Sequence, residues 1–197
     1  VSYLMVSMAH DMAAAGVAIS NDSGLMHVAA AIGTPTMGIF GPTSPYHWAP
    51  LNELAATVQT KTTLSCQPCH RTVCRMNDHR CMRDIPASAV AAIAERALNE
   101  AAARLSRSVA DTYSTPEHPR FVAGNMGPTT RSLSVTGGIT FTEMAQVFHD
   151  WAEGLVLGGA DLLALETQND TRTIKAAMIG IRRVFAEVGF ALPVIIS

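Results

Sequence analysis

A short polar run near the start of the chain has the residue types that hold phosphate groups. The run is Asn-Asp-Ser-Gly at residues 21–24. Asn, Asp and Ser are frequent at helix N-caps, and glycine lets the backbone come close to a ligand. A helix that begins there would direct free N–H groups and the positive end of its dipole at one point. We therefore predict a turn that binds a diphosphate, such as that of a nucleotide sugar.

The flanking residues supply the elements that would position this turn. Residues 17–20 form a short apolar run typical of a buried strand, and residues 25–32 favour a helix that ends at Gly33. The polar run alone also fits an ordinary helix cap. His27, on an otherwise apolar helix, also fits a core residue. Both alternatives stay open from the residues alone.

Four cysteines are grouped in one polar stretch, where they could bind a metal. Their spacing is C-x2-C-x4-C-x6-C, and two histidines are interleaved with them. The residues are Cys66, Cys69, Cys74 and Cys81, with His70 and His79. Four thiolates at this spacing could surround one tetrahedral zinc ion at about 2.3 Å in a closed structural site. Disulfides and four reduced surface thiols are the alternatives, although no feature directs the chain to an oxidising compartment.

The second half of the chain has the alternating pattern of a parallel α/β fold. Strands are predicted at Phe121–Ala123, Asp161–Leu165 and Leu192–Ile196, and helices at Phe141–Leu157 and Thr171–Val188. Gly127, Thr129 and Glu166 follow two of the strands, at the edge where parallel α/β folds place their chemistry. Glu166 could bind a ligand there, or it could cap the helix that follows.

Three longer motifs link the first segment to a known enzyme family. The sequence SNDSGLMHVAAA occupies residues 20–31, GPTSP-x-HWAP occupies residues 41–50, and Cys-Met-Arg-Asp occupies residues 81–84. The segment from about residue 2 to 98 resembles the carboxyl-terminal part of the lipopolysaccharide heptosyltransferases, most closely the heptosyltransferase II family. The resemblance implies a partial Rossmann-like GT-B lobe and transfer of heptose from ADP-heptose to the lipopolysaccharide core.

The same resemblance implies roles for particular residues. Donor binding is expected of Asp22, Ser23, Gly24, His27 and Thr43. The acceptor-binding domain of this family, with its proposed acidic base, would lie upstream of these residues, so no catalytic residue is assigned. We expect no heptosyl transfer from the isolated chain.

A second set of motifs links the rest of the chain to an unrelated family. RFVAG-x-x-GPT begins at Arg120, GGADLL-x-x-ET begins at Gly158, and DT-x-x-x-KAA begins at Asp170. This order resembles the homocysteine-binding module of cobalamin-dependent methionine synthase, which implies a partial TIM barrel. Glu166 would then bind the amino group of homocysteine, and Gly127 with Thr129 would hold its carboxylate end. The zinc-binding cysteines of that family would lie beyond residue 197, and none of the four cysteines here matches them.

These resemblances predict an α/β chain made of two fragments that do not share a core. The expected domains are a heptosyltransferase donor fragment at 1–98, a helix and linker at 99–119 with a protease-sensitive join, and a homocysteine-binding fragment at 120–197. Three hypotheses follow: a glycosyltransferase fragment, a methyltransferase fragment, or a hybrid reading frame with no function as a unit. Incomplete sheets with unpaired edges favour self-association.

Composition restricts the partners. A formal net charge of -2 gives no basic field for nucleic acid. No run approaches the roughly 20 apolar residues of a transmembrane helix. The sequence therefore predicts a cytoplasmic location, with peripheral attachment at the inner membrane as the alternative. ADP-heptose, a lipopolysaccharide core acceptor and homocysteine remain the partners that the resemblances imply.

Overall fold

The computed structural model describes residues 3–133 and 138–197. It divides into two compact units, Val1–Ala97 and Leu98–Ser197. Each unit contains one parallel sheet of three strands, in the order β1-β2-β3 and β4-β5-β6. Within the described ranges, neither sheet takes a strand from the other unit, as the sequence predicted. The α/β class is confirmed, and both sheets are small.

The first unit alternates helices and short strands before a long irregular loop. Its elements are α1 (Tyr3–Ala14), β1 (Ala18–Asn21), α2 (Gly24–Ala31), β2 (Thr36–Ile39), α3 (Pro45–Trp48), β3 (Ala56–Val58), α4 (Arg80–Arg83) and the first part of α5 (Ala87–Tyr113). The predicted strand and helix around the polar run are present, each shifted by one residue. The sequence did not predict β3, a strand of three residues.

Helix α2 ends as its sequence predicts. Gly33 has a φ of +85°, a left-handed conformation that glycine adopts without steric cost. The Gly33 N–H donates to the Ala30 carbonyl and the Thr34 N–H donates to the Ala29 carbonyl, each at 3.1 Å. These two hydrogen bonds end the helix, and the chain then turns toward β2.

The core of the first unit lies against β2 and β3. Met37, Val58 and Ala94 are buried there. Five partly buried side chains pack around them: Ile39, Ala56, Ile85, Val90 and Ile93. The first part of α5 therefore belongs to this core.

The second unit is built around two long helices that pack on its sheet. Its elements are the remainder of α5, β4 (Ala123–Met126), α6 (Phe141–Leu157), β5 (Leu162–Leu165), α7 (Thr171–Val188) and β6 (Val194–Ile196). Both α6 and α7 have the predicted bounds. Their N-termini are capped by side chains, Thr140 with Glu143 in a capping box and Asp170 through the Arg172 N–H.

The prediction of a strand at Phe121–Ala123 was wrong. The ladder with β5 begins at Ala123, which pairs with Leu162, and continues to Met126. The Val122 N–H donates instead to the Asp161 carboxylate at 2.6 Å, and Phe121 is 68% exposed. The prediction rested on the apolar residue types at 121–123. In the structure the hydrogen bond between Val122 and the Asp161 side chain sets where the strand begins.

The second core is larger than the first. Its fully buried side chains include Met126, Met144, Phe148, Leu163, Leu165, Ile181 and Val184. Ala103 of α5 also belongs to it, and a Cβ at Gly158 would lie 2.5 Å from the Ala103 Cβ. The close approach of α5 to the Gly158 turn thus requires glycine there. Among the described residues, no helix has the length and apolar character needed to cross a membrane.

Candidate functional site

Two loops that carry predicted donor residues meet at one edge of the first sheet. β1 and β2 are parallel neighbours, so the turn at 22–24 and the loop at 40–44 follow strand ends at the same edge. The Asp22 N–H donates to the Ile39 carbonyl at 3.2 Å. This bond fixes the turn beside the end of β2. The first sheet therefore places Asp22, Gly24 and Thr43 along one edge, where open α/β sheets bind ligands.

The turn itself is open to an approaching ligand. Ser23 occupies the N-cap of α2, but its side chain makes no capping hydrogen bond. Its hydroxyl instead lies 3.1 Å from the Ser20 hydroxyl. Gly24 is exposed, and a Cβ placed there would meet no atom within 4 Å. The alternative of an ordinary side-chain cap at Ser23 is therefore not what the structure shows.

The other two predicted donor residues, His27 and Thr43, are half-buried, as are Asp22 and Ser23. His27 is half-buried one turn into α2, next to the fully buried Met26. Thr43 is half-buried in the loop after β2, directly before Ser44, the N-cap of α3. Ser44, like Ser23, makes no side-chain capping bond.

The four cysteines are free and line a single cavity of about 350 Å³. Cys69, Cys74 and Cys81 are half-buried and Cys66 is exposed. Burial raises the pKa of the Cys81 thiol, and the neighbouring charges of Cys69, Cys74 and Cys66 raise it further. The pKa of Cys74 is lowered because the backbone N–H groups of His79 and Asp78 hydrogen bond to its sulfur. The four predicted thiols thus line one cavity, although no three of their sulfurs lie within 4.8 Å of one another among the described residues.

A second edge, in the other unit, carries the predicted homocysteine residues. Met126 pairs with Leu165 at the ends of β4 and β5, and the Glu166 N–H donates to the Met126 carbonyl at 3.1 Å. The exposed Glu166 carboxylate accepts a hydrogen bond of 2.7 Å from the Asn125 side-chain amide. Glu166 does not cap α7, because Asp170 holds that position.

Gly127 and Thr129 follow β4 at this edge. A Cβ at Gly127 would meet no atom within 4 Å, so its backbone is accessible to a ligand. The Thr129 hydroxyl donates to the Arg131 carbonyl and lies 3.7 Å from the sulfur of Met144. The fold therefore uses this hydroxyl within its own loop, and a ligand at Thr129 would have to share it or meet the backbone instead.

Two residues at this edge were missed by the sequence analysis. Asn125 orients Glu166, and the Gln168 side-chain amide donates to the carbonyls of Met126 and Glu166, each at 3.3 Å. Asparagine is uncommon inside strands, so Asn125 within an apolar strand was the available signal. Gln168 had no comparable signal, since its role depends on contacts between distant strand ends.

The buried His149 lies in a polar cluster formed by residues of α6 and α7. The ligand atoms of His149, Asp150 and Glu153 lie within 4.8 Å of one another. However, His149 Nδ1 pairs with Asp150 at 3.0 Å and Nε2 pairs with Glu187 at 2.9 Å. Burial disfavours the charged ring, but the hydrogen bonds to Asp150 and Glu187 outweigh it and raise the pKa of His149. The cluster therefore ties two helices together, and we assign no metal to it.

In the comparison with known proteins, two parts of the chain match two different families. Residues 79–197 match the family model described as homocysteine S-methyltransferase. The chain belongs to this family. Residues 5–79 match the model of glycosyltransferase family 9, the heptosyltransferases. The predicted presence of two families in one chain is confirmed.

One curated relative is a methionine synthase from Mycobacterium leprae (strain TN), which is 36% identical over 101 residues. The match covers 51% of this chain but only 8% of that relative's length. The two family matches meet at residue 79, whereas the two compact units meet between Ala97 and Leu98. Ile85, Val90 and Ile93, which follow residue 79, nevertheless pack in the first core.

Proposed function

We propose that this chain joins a donor-binding segment of a heptosyltransferase to a homocysteine-binding segment of a methionine synthase. The first would be part of a Rossmann-like GT-B lobe, and the second part of a TIM barrel. One observation carries the proposal: in both units, the residues implicated by family resemblance follow the carboxyl ends of parallel strands. Each segment would recognise its ligand at its own edge.

In the first unit, the ligand would be the diphosphate of ADP-heptose. The open turn at Ser23 and Gly24 lets phosphate oxygens approach the first N–H groups of α2, where the helix dipole favours negative charge. Asp22 and His27 would contact the sugar or support the turn, and Thr43 would contact the donor from the next loop. These residues bind and orient the donor for a lipopolysaccharide core acceptor held elsewhere.

In the second unit, the ligand would be homocysteine. The Glu166 carboxylate, held in place by Asn125, is suited to an amino group. The accessible backbone at Gly127, with Thr129, would receive the carboxylate end. These residues position the amino acid and leave its sulfur free. The described groups support recognition of homocysteine, and we propose recognition without turnover for these 197 residues.

A crossed pair of variants tests both edges by calorimetry. Gly24→Val adds a branched side chain where space is open, so it should preserve the fold and lower ADP affinity at least tenfold while homocysteine affinity is unchanged. Glu166→Gln removes one charge and should weaken homocysteine binding at least about tenfold, because a hydrogen bond to a charged group is worth about 1.5–3 kcal/mol. ADP affinity should then be unchanged. Equal ADP affinity for wild type and Gly24→Val would refute the proposed donor site at the ends of β1 and β2, called the donor edge below. Equal homocysteine affinity for wild type and Glu166→Gln would refute the proposed homocysteine site at the ends of β4 and β5.

A second candidate is a hybrid reading frame whose product has no function as a unit. It is favoured by the meeting of two unrelated family matches at residue 79. Sequencing the source DNA across residues 79–115, which includes the meeting point of the two matches and the boundary of the compact units, tests it. A frame interrupted within that stretch would support the hybrid, and an uninterrupted frame, transcribed as one message, would support a genuine fusion.

A further inference from the structure

The irregular loop between β3 and α5 contains a site that the proposed function does not use. We propose that Cys66, Cys69, Cys74 and Cys81 bind one structural Zn²⁺ ion, and that this ion fixes the neighbouring loop at residues 41–44. The second part of the proposal rests on the proposed donor edge, because that loop carries Thr43.

The fold places the four cysteines, which are separated in the sequence, around one cavity. All four cysteines line the cavity of about 350 Å³, together with Pro42 and Met82. Three of them come from the irregular loop and Cys81 comes from α4. Among the described residues, no three of these sulfurs lie within 4.8 Å of one another. The ion would therefore draw the sulfurs inward, to zinc-sulfur distances of about 2.3 Å.

The chemistry of the donor set fits zinc. Thiolates are soft ligands that select zinc among the common divalent ions, and four of them complete its tetrahedral shell. Each thiol would release its proton to solvent as it binds, so the exchange balances in charge and atoms.

The two histidines of the loop lie outside this set. His70 and His79 are exposed, and both have a left-handed backbone, with φ of 51° and 53°. His79 lines the same cavity and His70 does not, but four thiolates already complete the tetrahedral shell of zinc. The site is therefore a closed four-sulfur site, which would hold structure and have no position for a substrate.

Hydrogen bonds attach the cysteine loop directly to the segment before Thr43. The N–H groups of Cys69 and His70 both donate to the Pro42 carbonyl at 2.9 Å. The Gln67 side-chain amide donates to the Gly41 carbonyl at 2.7 Å. Gly41 also lies against Met82, whose sulfur would be 2.3 Å from a Cβ at that position. An ion that orders the cysteine loop would order residues 41–42 through these contacts.

The experiment uses the full chain expressed with added zinc and analysed by mass spectrometry of the metal. We expect about one zinc per chain in the wild type, and less than about one fifth of that in Cys69→Ser and Cys81→Ser. The matched controls are His70→Asn and His79→Asn, since asparagine tolerates the left-handed backbone of both positions. These controls should keep the metal. Cobalt substitution should give the intense visible absorption of tetrahedral thiolate coordination.

Some outcomes would overturn the zinc site. A metal content near zero, with all four thiols reacting rapidly with a thiol reagent, would refute it. Loss of zinc from either histidine variant would refute a closed four-sulfur site. If the cysteine variants do not fold, chelation of the wild type replaces them: amide exchange should rise at residues 65–83 and stay unchanged in α6 and α7.

Calorimetry with ADP separates the two parts of the proposal. Chelation should reduce ADP affinity by several-fold if the metal orders the loop at 41–44. Unchanged ADP affinity after zinc is removed would refute that coupling. Zinc-loaded protein that binds no ADP would refute the donor edge while the metal site stands.

Discussion

Helices begin differently in the two units. In the first, the N-cap residues of α2, α3 and α4 are Ser23, Ser44 and His79, and none makes a side-chain capping bond. In the second, Thr140 and Asp170 cap α6 and α7 through their side chains. Capping consumes the N–H groups that could otherwise meet a ligand. The contrast therefore separates the starts of α2, α3 and α4, which have no side-chain cap, from the side-chain-capped starts of α6 and α7.

The two units also differ in the interactions that stabilise each of them. The second unit has a large apolar core between its sheet and the α6 and α7 pair. The first has a small core, and side chains such as Asn52 join its loops through hydrogen bonds. The second unit should accordingly be most sensitive to packing changes. The first should be most sensitive to loss of hydrogen bonds.

The largest expected effect comes from Gly180→Val in the second unit. A Cβ there would lie 2.5 Å from the Ala145 carbonyl oxygen and 2.7 Å from the His149 nitrogen, both backbone atoms of α6. The helices must separate, so we expect a loss of about 3 kcal/mol or more in the free energy of unfolding. Urea denaturation followed by Trp151 fluorescence, in a Trp48→Phe background, measures it. Gly127→Ala is the control, because its position is open, and an equal loss in that variant would contradict the packing argument.

A smaller loss is expected from Asn52→Ala in the first unit. The Asn52 amide donates to the Thr34 carbonyl at 2.8 Å and the Ala30 carbonyl at 3.3 Å, and its oxygen accepts from the Leu54 N–H. Removing these bonds should cost about 1–3 kcal/mol. Trp48 fluorescence in a Trp151→Phe background reports on this unit. A shift of less than a few tenths of a kcal/mol would show that the loop contacts contribute little.

The comparison of helix starts is tested directly by Thr140→Ala and Ser23→Ala. The first removes a capping bond and should cost about 1 kcal/mol, whereas the second removes no cap and should cost much less. Each variant is measured by urea denaturation with the tryptophan of its own unit. Equal losses would remove the distinction between the two kinds of helix start.

The smallest effect is a pH dependence from His149. Its folded pKa is raised above the usual value of about 6.5, so its stabilising contribution is complete below that pH and is lost as pH rises through the folded pKa. The second unit should therefore be slightly more stable at pH 6 than at pH 8. In His149→Asn this difference should shrink, and a difference of the same size in the variant would assign it to other groups.

The sequence predicted best those elements whose signals are local. Helices α6 and α7 have long apolar periodicity with a cap at their start, and both were found at the predicted bounds. β3 was missed because three residues carry too little pattern. β4 was misplaced because the Asp161 side chain, far away in the chain, takes the Val122 N–H.

The candidate sites follow the same rule. The turn at residues 21–24 was visible because its residue types are adjacent in the sequence. The hydrogen bond from Asn125 to Glu166 joins residues on different strands, so it was not visible before the sheet was formed. Contacts of this kind depend on register, which motifs alone do not state.

Helix α5 continues without a break through the boundary between the two compact units. It runs from Ala87 to Tyr113, and the boundary between the compact units, at Ala97 and Leu98, falls inside it. An α-helix satisfies its backbone hydrogen bonds within itself. A recombination event there would therefore break no strand pairing and would leave only side-chain contacts to be reconciled. Alanine has a small side chain that rarely clashes. The alanine-rich sequence of α5 would therefore allow residues from a different protein to pack against it.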